Sequence, residues 1–321
     1  MKRNHHNIKK QKGVALFVTL LVVTIATLLA TEIWFNNTLD ISRQYNNRSA
    51  YQAKHYSNGM ALWAIDVLRL DFDENPTFDN RTEAWNQVIA GIELDDAVLS
   101  GKVTDLDSKF NLNNLVIDGA VNEVSRQYFI RILNNLELDL AIADKIIDWL
   151  DTDQLPMPQG AEDSVYLSKS PSYRTAGQHF VHISELKLID GIDESTYQRL
   201  KSFVTVLPIS SLGNPTKLNV NTASALLIKS LHRDITSKIA IRLYNEGNAA
   251  NKKLEEFFGQ TALNGINLNI DELSSIVDTK SQWYQAQTSV KMENNLFQSY
   301  ALLYRPGAIS VIKQWSETPY L

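Results

Sequence analysis

The stretch Lys9–Thr31, KKQKGVALFVTLLVVTIATLLAT, decides the architecture. Its last eighteen residues, Val14–Thr31, carry no charge. At about 1.5 Å rise per residue they form a helix of roughly 27 Å, enough to cross a bilayer core. Lys9, Lys10 and Lys12 stand directly before it, and excess positive charge favours the cytoplasmic side. The amino terminus is therefore expected inside, with the remainder of a single-pass chain outside. A cleaved signal peptide is the competing reading, but such peptides have apolar cores of about 7–15 residues and end at a small-residue site. This run is longer, and no such site follows it. Instead, from Glu32 to Leu70 there is no proline, and Gly59 is the only glycine. Ala53, Tyr56, Met60, Ala64 and Val67 recur at three- and four-residue spacing, the mark of one buried helical face. One helix of more than fifty residues is predicted, lipid-facing first and amphipathic after.

Charge is unevenly divided. Residues 1–13 hold five basic groups and no acid; the remaining chain has a balance of -10. A body that acidic repels phosphate backbones. With 321 residues, 44% hydrophobic and 21% charged, the chain has the composition of a folded multi-domain protein. It has no cysteine, which excludes disulfides and thiolate metal sites.

Beyond the long helix, Pro76 and its acidic neighbours predict a break, followed by a loop with a short helix around Ala84–Ile89. Val98–Asp107 reads as a strand. Helices are expected over Glu123–Leu136 and Leu138–Leu150, from an N-cap at Ser184 to Gly191, and from Asp193 through Phe203. Pro208, Gly213 and Pro215 mark a linker. Further helices are expected from Asn221 through Leu231, from Asp234 to Gly247, and over Asn251–Phe258 and Asp271–Val277. Near the end, Tyr284, Ala286, Thr288, Val290 and Met292 alternate with polar residues, which predicts a half-buried strand. Leu296–Tyr304 and Ala308–Trp315 follow as two more.

A short basic leader, Gly13, then a long apolar helix resembles the type IV pilins and pseudopilins. That resemblance implies cleavage after Gly13 and methylation of the new amino terminus at Val14. Most pilins place a glutamate five residues into the mature chain, where it meets a neighbouring subunit's amino terminus. Here that position is Val18. A carboxylate in lipid is costly, so its loss fits a subunit without that neighbour, at a filament tip.

Further stretches resemble one family, the minor pseudopilin K of type II secretion systems: QAKHYSNGMALWA (52–64), DLDSKFNLNNL (105–115), IIDWLDTDQLPMPQGAEDSVY (146–166), HISELKLIDGI (182–192) and KLNVNTASALLIKSL (217–231). The resemblance implies an α+β pilin-like fold, in which the long helix packs on a small antiparallel sheet. A large all-α insertion of two helical subdomains interrupts it. The expected division is leader 1–13, membrane or filament-core helix 14–35, first part of the body 36–107, helical domain 108–208, second helical domain 209–280 and closing strands 281–321. The implied role is at the tip of the pseudopilus in the bacterial inner membrane and periplasm, with minor pseudopilins I and J as partners. Contact with the secretin and the secreted substrate is also implied; no catalysis is.

Asp151, Asp153, Glu162 and Asp163 cluster after a predicted helix. Asp151 and Glu162 stand at positions 1 and 12 of a twelve-residue span, with Asp153 at position 3. That is the ligand skeleton of a calcium loop, although the position-6 glycine of an EF-hand is replaced by Pro156. A solvated acidic loop has the same composition. The family resemblance implies calcium here, and Asp148 is a further candidate donor.

The alternative function is a membrane-anchored DNA-uptake receptor, since LNVNTASALLIKSL with DITSKIAIRL resembles a helix–hairpin–helix unit. Its turn, His232-Arg233-Asp234-Ile235, lacks the glycines whose bare amides approach phosphate. No H-E-x-x-H, G-x-S-x-G, P-loop or G-x-G-x-x-G is present. His179 and His182 lack a third metal-binding partner nearby in sequence.

Overall fold

The computed structural model describes residues 12–209, 213–293, 295–307 and 315–316. The basic leader before Lys12 and most of the expected strand Ala308–Trp315 lie outside the described residues. The chain divides into two units, residues 1–55 and 56–321.

Helix α1 runs over Lys12–Glu74, 63 residues. Within the first unit, every side chain from Gly13 to Arg48 is exposed, including Phe17 and Trp34. An isolated apolar helix of this kind is stable only where lipid or other subunits surround it. Threonines in the apolar run are satisfied internally: the hydroxyls of Thr24, Thr27 and Thr31 donate to carbonyls four residues back at 2.7–2.8 Å. Without water, each would otherwise be an unpaired donor. The helix ends before Asn75-Pro76, where the proline ring disfavours helical backbone in the preceding residue.

In the second unit, strands β1 (Ile89–Leu94) and β2 (Ala97–Asp105) precede a long insertion, and β3 (Trp283–Met292) and β4 (Asn295–Tyr304) follow it. They form an antiparallel sheet in the order β1-β2-β3-β4, extended by Trp315–Ser316 against Tyr300–Ala301. The carboxyl-terminal part of α1 lies on one face. Ala61, Ala64 and Leu68 pack against Val103, Tyr284, Ala286, Ala301 and Leu303. The small residues let backbone approach backbone. At Gly101 a Cβ would fall 2.3 Å from Cε of Met60, so a glycine lets the helix seat. Helix on sheet with a helical insertion is the expected α+β architecture.

One local expectation fails here. The helix around Ala84–Ile89 is only a 3-10 turn, Ala84–Asn86, and Ile89 opens β1. β1 has no alternating burial to read, because five of its six residues are exposed. It also has a register irregularity between Ile89 and Ile92, with Gly91 at φ +73°. A bulge of that kind erases the period of two.

The insertion is helical. α2 (Glu123–Asn135) and α3 (Ala141–Leu150) fall where expected. Asp193 caps the next helix, Glu194–Leu200, through the Thr196 amide at 2.7 Å. Three other expected helix starts are corrected. His182, not Ser184, caps the turn Ile183–Leu188. Ser224, not Asn221, caps Ala225–Ser230, and Thr236, not Asp234, caps Ser237–Tyr244. Asn221 is instead a buried bridge, donating to the carbonyls of Asp79 and Asn251. Competing Ser, Thr, Asn and Asp residues lay within a few positions, and tertiary contacts chose among them. One apolar cluster runs from Phe110 to Val277, so both helical stretches contribute to the same core.

Candidate metal centre

α3 ends at Leu150, and its last turn presents Asp148 towards the loop that follows. Asp148 is fully buried and accepts the Met157 amide on both oxygens, at 3.0 and 3.2 Å. This folds Pro156-Met157-Pro158 back over the helix end. The Gly160 amide then closes a turn onto the Met157 carbonyl at 2.9 Å. A Cβ on residue 160 would sit 1.8 Å from Asp148 Oδ2, so only glycine lets the carboxylate occupy this place. Ala161 and Glu162 follow, both buried.

The result is a convergence of three acids. Oxygens of Asp148, Asp151 and Glu162 lie within 4.8 Å of one another. Both carboxylate oxygens of Glu162, and Oδ1 of Asp151, are buried without a hydrogen-bond partner. Burial, reinforced by Asp148 and Asp151, pushes Glu162 up to about 7. Burial, then the charges of Asp153 and Asp148, pushes Asp151 up to about 6. Asp148 is raised as well, mainly by burial, with its Met157 bond opposing.

Neighbouring acids are compensated within the chain. Asp144 has Arg126 at 2.9 Å, Asp163 has Arg174 at 2.6 Å, and Asp190 has Lys145 and Lys169 at 2.9 and 2.8 Å. Burial pushes Asp163 up, but the bonds from Thr175 and Arg174 outweigh it and leave its carboxyl below the usual range. Among the described residues, no ion pair reaches Asp148, Asp151 or Glu162.

Of the four acids expected from sequence, Asp151 and Glu162 are thus brought together. Asp153 lies exposed beside them, its Oδ1 turned to the Leu155 amide. Asp163 faces Arg174 and Thr175 instead. Asp148 is the member whose weight the sequence understated. Its signal was present: a charged residue on the buried face of an apolar helix, IIDWL.

An arrangement of three uncompensated carboxyls suits a hard divalent cation. Calcium takes oxygen ligands at about 2.3–2.6 Å, so donors on opposite sides of one ion lie about 4.6–5.2 Å apart. The oxygens of all three residues lie within 4.8 Å of one another, close enough for one ion to reach them together. The orphaned oxygens of Glu162 are what such an ion would satisfy. These buried acidic groups could therefore bind a metal.

The helix–hairpin–helix turn offers little to a phosphate. The Asp234 amide is taken by the His232 ring at 3.2 Å and the Asp234 carboxylate is exposed.

Comparison with known proteins gives consistent relatives. Residues 108–209 match the family model for type II secretion system (T2SS), protein K. The chain is 36% identical to type II secretion system protein K of Pseudomonas aeruginosa over 232 residues, 69% of this chain and 68% of that one. It is 28% identical to the protein of the same name from Pectobacterium carotovorum, over 93% of this chain and 94% of that one. In fold it is similar to a chain in the crystal structure of the GspK-GspI-GspJ complex from the enterotoxigenic Escherichia coli type 2 secretion system. The TM-score is 0.76 at 21% identity, covering 86% of this chain and all of that one.

Proposed function

The chain belongs to the type II secretion system protein K family, and on that premise we propose that it is the minor pseudopilin at the tip of the pseudopilus. Its role is structural, not enzymatic. In this role it assembles with minor pseudopilins I and J, and the filament serves export of folded proteins across the outer membrane. The observation that carries the reading is α1: 63 residues, wholly exposed where apolar and packed on a sheet where amphipathic. Such a helix needs lipid before assembly and other subunits after it.

The finer features follow from that role. Cleavage after Gly13 removes the basic leader, and the new amino terminus at Val14 is methylated. The chain then sits in the inner membrane with its amino terminus cytoplasmic and residues from about 36 onward periplasmic. Val18, lacking a carboxylate, suits the position with no subunit above it. The division into leader, filament-core helix, body, two helical domains (108–208 and 209–280) and closing strands is part of the same proposal.

Calcium is the cation proposed for the acidic loop. Glu162 and Asp151 would hold it with Asp148, while Asp153 and Asp163 add negative charge from the flanks. When bound, it supplies no chemistry beyond charge compensation, and it ties the loop to the end of α3.

Intact mass and amino-terminal sequencing of the chain from its native membrane test the assignment. A methylated start at Val14 is expected. An intact Met1, or a cut near residue 31, would refute the pilin reading.

A further inference from the structure

The helical insertion joins the sheet through a narrow neck. β2 ends at Asp105 and β3 begins at Trp283, side by side: Asp105 stands opposite Tyr284, and the Leu106 amide donates to the Trp283 carbonyl at 2.9 Å. Carboxyls crowd this crossing. Asp71 closes α1, Asp79 and Glu83 lie in the loop after it, and Asp105 and Asp107 stand at the exit from β2. One buried guanidinium, Arg305 at the end of β4, serves the first group. It donates to Asp71 and to the Leu68 carbonyl, each at 3.0 Å, and pairs with Asp79. Asp71, Asp79 and Glu83 also bring oxygens within 4.8 Å of one another. Here, though, Arg305 already provides the positive charge, so no metal is called for.

Among the described residues, no cation pairs with Asp105 or Asp107. Asp105 accepts the Thr222 hydroxyl from the insertion and the Ser281 hydroxyl, at 2.7 Å, from the returning strand's approach. Its other oxygen takes the Asp107 amide at 2.8 Å. Asp107 gathers the Gln282 and Trp283 amides on one oxygen, at 2.6 and 3.0 Å. Its second oxygen is buried with no partner. The Asp107 carbonyl receives the Asn219 amide at 2.8 Å, from the insertion again. Lys217, Asp278 and Lys280 line a cavity of about 810 Å³ beside Asp107, but none pairs with it among the described residues. These two carboxyls therefore join body to insertion through hydrogen bonds alone.

We propose that the neck is a pH-sensitive joint: a proton held by the Asp105–Asp107 pair clamps the insertion to the sheet, and its loss loosens the clamp. An ionised pair there would bury two neighbouring like charges, one of them with an oxygen that has no partner. Burial pushes Asp105 up to about 6; burial and the Asp105 charge raise Asp107 well above the usual carboxylate range. Burial also raises Asp71, to about 6, and Glu83, to about 7. All four are higher in the folded state than unfolded. Their contribution is therefore full in acid and is lost as pH rises through about 6 to 7 and beyond.

Hydrogen exchange of the full chain in detergent micelles tests this, with saturating calcium so that the loop acids stay compensated. After correction for intrinsic exchange, amides of residues 103–110 and 279–285 are expected to lose protection between pH 5.5 and pH 8, approaching tenfold per pH unit for each proton released. Those of residues 141–150 keep theirs. Asp107→Asn mimics the protonated form and flattens the dependence at the neck. Equal neck protection at both pH values overturns the proposal, as does the same loss in 141–150 or an unaltered slope in the variant. If Asp107→Asn does not fold, a carboxyl NMR titration of the unaltered chain decides instead: ordinary aspartate values at both positions overturn it.

Discussion

Two acidic clusters of three residues each, one in the body and one in the insertion, are resolved differently. In the body, Asp71 and Asp79 enclose Arg305, which also reaches the Leu68 carbonyl and lies over the rings of Phe72 and Tyr284. In the insertion, no ion pair among the described residues reaches Asp148, Asp151 or Glu162, and Glu162 has two buried, unbonded oxygens. An acidic cluster alone says little about metals, because either a side chain or an ion can neutralise it. The difference lies in whether the protein supplies the cation. Where it does, the cluster is a fastener; where it does not, as at Glu162, the acids could bind a metal.

The comparison breaks most visibly at Arg305. Arg305→Met keeps most of the volume but strands two buried carboxylates, so a loss of about 3–5 kcal/mol in denaturant unfolding is expected. Calcium should not rescue it; rescue would mean that the body cluster is itself a metal site.

The next effect is calcium-linked. With calcium about 100-fold above its Kd, binding stabilises the chain by about 2.7 kcal/mol, and Glu162→Gln should abolish that increment. Without calcium the variant should be at least as stable as the parent at pH 8, since the amide carries no charge into the buried position. Destabilisation without calcium would show that Glu162 has a structural partner.

A third effect is pH dependence without calcium. Asp151 and Glu162 are raised to about 6 and about 7. Raised acids bind more protons folded than unfolded, so their contribution is greatest below the ordinary carboxylate range and is lost as pH rises through 6 and 7. Thermal unfolding in chelator should therefore show this part of the stability falling over that window. Calcium, which favours the ionised forms, should flatten or reverse the fall.

The smallest effect separates near donors from flanking ones. Asp148→Asn should weaken calcium binding by about tenfold or more. Asp163→Asn should change it by no more than about threefold, because Arg174 already offsets that charge in a partly exposed pair. Equal losses would place Asp163 among the direct ligands.

Much of this was readable before any coordinates. The uncharged run from Val14 and the proline-free stretch to Leu70 specify α1, since no other element tolerates such a pattern. Asp151 and Glu162 announced themselves by spacing. Asp148 was harder to weigh, because its importance depends on Gly160 and Met157 folding back onto it. The role of Arg305 was not legible: it lies more than 220 residues from its partners Asp71 and Asp79. Strand β1 was hidden for another reason, being exposed on both faces and bulged at Gly91. Local pattern reveals elements that bury one face; it does not reveal charges that meet only in the fold.

The most direct test of the account is a calcium titration of the full chain in detergent, followed by thermal melting. The account predicts a rise of roughly 5 °C in Tm once calcium is about 100-fold above its Kd, absent in Glu162→Gln. An unchanged Tm at millimolar calcium, in a chain shown to be folded, would contradict it.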